Sequence, residues 1–203
     1  MGNLRSVQKA FEKVGSNAII TNNHEKIKNS DKIVLPGVGS FKDGMKHLQE
    51  LGLIDILNEE IIQNKKPFLG ICLGMQLIAS KSYENGETEG LNWVDAEVIK
   101  FDFSSQTKKL KVPHVGWNEL IFHNTNTLLN DVTEYSDFYF VHSFHFQTNE
   151  DVVTSYTDYG LNFISSVNKH NIYAFQFHPE KSQTVGLKLI ENFVNLEVNN
   201  VKA

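Results

Sequence analysis

The chain holds one cysteine, Cys72, so no internal disulfide can form, and a reducing, cytoplasmic setting is the default expectation. It has no uninterrupted apolar run near the ~18 residues that a bilayer span needs. No signal-peptide anatomy precedes the first amphipathic stretch. Excess charge is scarce as well: a net charge of −5 over 203 residues argues against a nucleic-acid or membrane partner. The basic run Thr107-Lys108-Lys109-Leu110-Lys111 is short and reads as a solvated loop. Metal-binding patterns are also missing. There is no His-Glu-x-x-His helix and no second cysteine, and His142 and His145 point to opposite faces if they share one extended strand. Neither a metal nor a cofactor is expected. Residues 1–6 fit the myristoylation consensus, a pattern short enough to arise by chance.

What is present is a regular alternation. Leu4, Val7, Ala10, Phe11 and Val14 lie on one face of a helix, with Gly15 as its stop. Residues 18–20 and 32–35 read as buried strands, the second running into the turn Pro36-Gly37-Val38-Gly39. Helical periodicity covers 41–64 with a break at Gly52, a third strand covers 67–71, and another helix starts over 75–80. This order predicts a mostly parallel, doubly wound sheet with helices on both faces. The later strand-like runs, 93–101, 118–122, 138–146, 152–156, 163–167 and 172–177, predict a mixed or antiparallel extension, and 184–198 a closing helix. With no repeat, low-complexity tract or linker, residues 1–203 form one α/β domain.

Cys72 is centred in Gly70-Ile71-Cys72-Leu73-Gly74, between a strand and a helix. That has the form of a nucleophile elbow, with cysteine in place of serine. Two flanking glycines let a side chain stand out of a tight turn, and a helix N-terminus favours thiolate. A buried structural cysteine is the competing reading, and on the elbow alone the two stay close. A nucleophile also needs a base and a group to orient it. His178-Pro179-Glu180, directly after a strand, offers both in a stiff arrangement. Alone, His-Pro-Glu would be a surface turn; two strand-end motifs in one α/β chain make coincidence the poorer explanation. Pro36-Gly37-Val38-Gly39 could turn a backbone N–H toward an oxyanion, and it lacks the Gly-Lys-Ser/Thr ending of a phosphate loop. The aromatic-rich stretch 137–146 reads as a core strand rather than a stacking platform for bases.

The segments "PGVGSF", "GICLGMQL" and "FQFHPEKS", in this order, resemble the class I (triad) glutamine amidotransferases. More narrowly, "GNLRSVQKA", "LPGVGSFKDGM", "KVPHVGWNEL", "FYFVHS" and "TDYG" are similar to the glutaminase-subunit family of imidazole glycerol phosphate synthases. The resemblance implies that Cys72 is the nucleophile, His178 the general acid/base and Glu180 its orienting carboxylate. It places the oxyanion hole at Leu73 and around Val38 and Gly39, and the bound glutamine beside Gln76, Glu84 and the backbone of His142, Ser143 and Phe144. Asn3, Trp117, Asn118 and Lys181 match positions that face a synthase (cyclase) subunit with a (β/α)₈ barrel. In the implied heterodimer, L-glutamine is hydrolysed to glutamate and ammonia passes to that subunit for imidazole glycerol phosphate formation in histidine biosynthesis. Partner binding would complete the oxyanion hole, so the lone chain would be a poor glutaminase. Members of the family carry a hydrophobic strand ending near "DYG" before "MGNLRSV", so a first strand is expected to be missing ahead of Met1. The myristoylation pattern would then fall in the loop after that strand. Three alternatives stay open: a paralogous glutaminase serving surface-sugar biosynthesis, a stand-alone γ-glutamyl hydrolase, and a non-catalytic scaffold.

Overall fold

The computed structural model describes residues 3–104, 110–124 and 126–197. The anticipated strand before Met1, the myristoylation pattern at Met1 and Gly2, and most of the basic run lie outside the described residues. The first half forms α1 (Leu4–Lys13), α2 (His24–Lys28), β1 (Ile33–Gly37), α3 (Phe41–Glu50), α4 (Leu53–Leu57), β2 (Phe68–Cys72) and α5 (Leu73–Leu77). Helix α1 buries Val7, Ala10 and Phe11 and stops where Gly15 takes φ 86°, a left-handed cap that glycine adopts without strain. Gly52, with φ 63°, separates α3 from α4 at the break the sequence marks, and a π-helical turn (Asn58–Gln63) carries α4 onward.

The second half supplies β3 (Lys81–Ser82), β4 (Thr88–Glu89), β5 (Ala96–Lys100), β6 (His114–Glu119), β7 (Ile121–Phe122), β8 (Asp137–His142) and β9 (Phe144–Thr148). β10 (Val153–Asp158), β11 (Asn162–Lys169) and β12 (Ile172–Phe175) follow, and α6 (Gln183–Val194) closes the fold. The main sheet runs β1-β2-β12-β11-β9-β5-β3-β4, with β10 beside β11 and β7 beside β10. Its β1, β2 and β12 are parallel, whereas β12, β11, β9 and β5 pair antiparallel. The parallel half and the antiparallel extension therefore meet at β12, and the sheet is mixed. Strands β6 and β8 make a separate antiparallel pair.

All five residues of β2 are buried because both its faces are covered. Phe68 packs with Phe41, Leu48 and Ile61 on the α3–α4 side. Leu69 and Ile71 pack with Phe11, Phe175 and Phe193 on the α1–α6 side, where Phe11 meets Phe193 edge-on at 6.2 Å. Burying each such side chain contributes about 1.5–3 kcal/mol, so the strand carrying Cys72 is held from both sides.

Three expectations are corrected. Residues 18–20 are not a strand: β-branched composition suits one, but a strand needs a ladder, and β1 pairs only with β2 among the described residues. Ile19 and Ile20 are accordingly 55% and 44% exposed. The run 138–146 is not one strand but two, β8 and β9, which leave Ser143 in different sheets. The helix after Cys72 begins at Leu73, not Met75, and ends at Leu77. Among the described residues no helix is long and apolar enough to cross a membrane.

Candidate active site

The register of β1 and β2 pairs Gly37 with Cys72, so the Pro36–Gly39 loop and the cysteine leave the sheet side by side at the carboxyl ends of parallel strands. Cys72 takes φ 55° and ψ −105°, a conformation that an L side chain adopts only when its surroundings enforce it. The glycines show what does. A Cβ on Gly74 would sit 1.8 Å from the Leu35 carbonyl oxygen, and one on Gly70 2.7 Å from that of Gly74. The elbow is thus pressed onto β1 at Gly74 and folded back over its own strand at Gly70, and each close approach requires bare backbone. Leu73 opens α5, so its N–H is one of the first-turn donors a helix leaves unpaired. With five residues, α5 offers those N–H groups rather than a long-helix dipole. Cys72 is a free thiol, 6% exposed. Across the loop, Gly39 has φ 109° and Val38 is exposed.

His178 follows β12 and is fixed by its N–H donating to the Tyr139 carbonyl at 2.9 Å. Pro179 then starts a 3₁₀ turn that swings Glu180 back beneath the ring. The imidazole Nδ1–H donates to Glu180 Oε1 at 2.7 Å, with both side chains shut off from solvent. The opposite nitrogen, Nε2, is buried without a hydrogen-bond partner of ordinary length among the described residues. Burial disfavours the charged ring, but the Cys72 sulfur and Glu180 outweigh it and push the His178 pKa up to about 9. A histidine raised above its unfolded value of ~6.5 contributes stability that is fully present below that pH. The contribution is lost as pH rises through about 9. Because the sulfur is one of the causes, Cys72→Ala should lower the midpoint of the His178 ring titration, followed by proton NMR. An unmoved midpoint would contradict the influence of the Cys72 sulfur on the ring.

Asn3, anticipated only as partner-facing, lies against this pair. Its Nδ2 donates to Glu180 Oε1 and approaches His178 Nδ1 to 3.4 Å. It sits at φ 72°, a left-handed position asparagine tolerates better than most residues. Asn3→Gly keeps that backbone and removes only the amide. Losing a hydrogen bond to a charged group of this kind should lower kcat about tenfold or more with little change in KM; an unchanged kcat would make the contact incidental.

Of the expected glutamine-side residues, Gln76 and His142 are joined through the Phe144 carbonyl, and Glu84 is held separately. Gln76 Nε2 donates to the Phe144 carbonyl at 3.1 Å and to Gln176 Oε1 at 3.0 Å. Glu84 Oε2 accepts the Phe41 N–H at 2.6 Å, which ties it to the start of α3 just beyond the Pro36–Gly39 loop. His142 Nδ1–H donates to the Phe144 carbonyl at 2.8 Å, and its Nε2 accepts from His114 Nδ1 at 3.2 Å. Burial pushes these histidines down, His142 to about 3 and His114 to about 4, so both stay neutral. His142 and His145 do not diverge as one strand would make them. The break at Ser143 brings both rings against Phe101, at 5.2 and 4.8 Å. Among the described residues no group of His, Cys, Asp and Glu is placed to hold a metal. Sequence reasoning missed Gln176, which is fully buried and donates Nε2 to Cys72 Sγ at 3.8 Å. The only sign of it was a polar residue between two phenylalanines.

On the outer side, Trp117 is 46% exposed and meets Tyr139 edge-on at 5.9 Å, and Lys181 Nζ stands 5.4 Å from the Tyr139 ring centre. Asn118, next to Trp117 in β6, donates Nδ2 to the Asp158 carbonyl at 2.8 Å. This aromatic and cationic patch is joined to the site through the Tyr139 carbonyl that holds His178.

The family model for glutamine amidotransferase class-I matches residues 1–196. The chain is 50% identical over 195 residues to imidazole glycerol phosphate synthase subunit HisH 1 of Campylobacter jejuni (strain 81-176), covering 96% of each. It is 47% identical to subunit HisH 2 of Methanococcus maripaludis, covering 96% of this chain and 95% of that one. To subunit HisH of Aquifex aeolicus it is 48% identical, covering 95% and 91%. Among solved structures, a glutamine amidotransferase crystal structure superimposes with a TM-score of 0.73 at 18% identity, covering 95% of this chain and 93% of that one. The glutaminase domain of Trypanosoma brucei CTPS, solved with bound acivicin, gives 0.63 at 15% identity, covering 95% and 88%. At such identities the two structures speak to the fold alone.

Proposed function

The chain belongs to the class I glutamine amidotransferase family, and from that premise we propose that it is the HisH-type glutaminase subunit of an imidazole glycerol phosphate synthase, hydrolysing glutamine and passing ammonia to a synthase subunit in histidine biosynthesis. The observation that carries this reading is the buried His178–Glu180 pair, whose ring interacts with the sulfur of the strained Cys72. Cys72 thiolate attacks the side-chain amide carbon of glutamine. The oxyanion is met by the Leu73 N–H and the Val38–Gly39 backbone, donors typically worth ~10²–10³ in rate each. His178, protonated at neutral pH, gives its proton to the departing ammonia. The neutral ring then takes a proton from water, which attacks the γ-glutamyl thioester and releases glutamate and the thiolate. Glu180 holds the ring in the Nδ1–H tautomer throughout. Gln76 has both amide hydrogens engaged, which leaves its oxygen for the substrate, and Glu84 keeps a second carboxylate oxygen for the substrate ammonium.

Asn3, Trp117 and Lys181 support one docking face for a (β/α)₈ synthase subunit, adjacent to the catalytic pair. The protein would act in the reducing cytoplasm, which keeps its one thiol free. Two measurements test the reading. A glutamine-derived chloroketone, with the histidine-pathway cyclase present, should leave its adduct on Cys72 in mass spectra; an unlabelled Cys72 would overturn the catalytic assignment in favour of a scaffold. The mixture should also form imidazole glycerol phosphate in a glutamine-dependent manner. Methanococcus maripaludis has relatives numbered HisH 1 and HisH 2. Both carry the imidazole glycerol phosphate synthase name, so the duplication itself does not point to a surface-sugar amidotransferase as the alternative acceptor. Labelled Cys72 without glutamine-dependent cyclase product would select that acceptor.

A further inference from the structure

Gln176 is 0% exposed, and burying a primary amide is costly unless its donors and acceptor are matched. Its neighbours explain nothing about it. Phe175 and Phe177 stack at 4.8 Å on the α6 side, and Gln176 turns away from them toward the elbow. There Gln76 Nε2 approaches two acceptors, the Phe144 carbonyl at 3.1 Å and the Gln176 side chain at 3.0 Å. A backbone carbonyl accepts only, so the Gln76 nitrogen must face Phe144. That nitrogen's second hydrogen then faces Gln176, which must present Oε1 to it. The Gln176 nitrogen is left pointing at Cys72 Sγ, 3.8 Å away. One fixed carbonyl therefore sets the orientation of two amides and delivers an N–H to the sulfur.

We infer that Gln176 is a positioning residue for the nucleophile, donating to the Cys72 sulfur while fixing the Gln76 amide that faces the glutamine pocket. The inference rests on the reading of Cys72 as the nucleophile. A donor at this place favours thiolate over thiol and holds the sulfur in one rotamer, so it raises the rate more than it tightens substrate. The same bond chain continues through Phe144 to His142 and His114, which begins β6, so the sulfur is linked by hydrogen bonds to the strand that carries Trp117.

The test uses the full chain and iodoacetamide, for which Cys72 is the sole thiol target. Gln176→Met preserves length and removes the donor. It should slow Cys72 alkylation, and kcat for glutamine hydrolysis with the synthase subunit present, by about 10- to 100-fold, while KM changes less than fivefold. Gln176→Glu keeps the acceptor for Gln76 but offers the sulfur a carboxyl group. Protonated, that group can donate; ionised, it repels thiolate. Its alkylation rate relative to the parent should therefore fall as pH rises from 6 to 8.5, a trend that a purely structural role would not produce. Both rates are referred to the folded fraction measured by thermal melting. Gln176→Met alkylating within twofold of the parent, or a flat Gln176→Glu ratio, would overturn the inference. Glutamine hydrolysis surviving in Cys72→Ala would instead overturn the reading on which it rests.

Discussion

Cys72→Ala should abolish glutamine hydrolysis, lowering kcat by on the order of 10⁴-fold or more. Residues of a catalytic triad act as a unit, and removing the nucleophile alone costs about as much as removing all three. Alanine keeps the Cβ, so the φ 55° backbone of the elbow gains no new strain and the loss is chemical. Glu180→Gln should cost roughly 10³–10⁴, because the Nδ1–H tautomer loses its ionised acceptor while the ring remains in place. Steady-state release of glutamate and ammonia, measured with the synthase subunit in excess, reads both. A Cys72→Ala protein within tenfold of the parent would require a different nucleophile, and the sequence holds no other thiol.

The second large effect is on stability. Gly74→Ala should destabilise by ~3 kcal/mol or more, the upper end of overpacking costs, and lower Tm by about 6–12 °C for a chain of this size. The added Cβ would lie 1.8 Å from the Leu35 carbonyl oxygen, which is backbone of a paired strand and has nowhere to move. Relief requires the elbow to lift off β1, carrying Cys72 away from the loop beside it. A displacement near 1 Å is enough to cost about 10²-fold in rate, so activity should fall with stability. Gly44→Ala is the matched control. There the new atom meets Leu77 Cδ2 at 3.1 Å and Leu73 Cδ2 at 3.2 Å, flexible side-chain ends that can give way. Calorimetry should show Gly44→Ala within a few degrees of the parent; a Gly74→Ala melt equally close would mean the elbow is not pressed onto β1.

The legible parts of this fold were those where one element decides its own pattern. The spacing of Val7, Ala10 and Phe11, the stop at Gly15 and the break at Gly52 all follow from local backbone and a single buried face. Cys72, His178 and Glu180 were legible because strand-end glycines and a proline announce constrained turns. What stayed hidden depends on partners far away in the chain. Residues 18–20 have strand composition, but composition does not supply a ladder. The fate of His142 and His145 hinged on a strand break at Ser143 that no turn residue marks. Period-two alternation could place Gln176 opposite Phe175 and Phe177, but not across from a sulfur 104 residues earlier. Asn3 was expected, from the resemblance alone, to face a partner, and its reach to Glu180, 177 residues away, was not foreseen.

The two tryptophans divide the molecule optically. Trp93 is 6% exposed, edge-on to Phe68 at 5.0 Å and bonded to Asn58, in the core on the far side of the sheet from α1 and α6. Trp117 is half in water beside Tyr139. A shielded indole emits at shorter wavelength than a hydrated one, so the intrinsic fluorescence of the chain is a composite of a blue component and a red one. The blue component stays constant while the fold is intact and serves as an internal reference. The red component belongs to the face proposed for docking, so Trp117 would report a partner that displaces water there without any added dye.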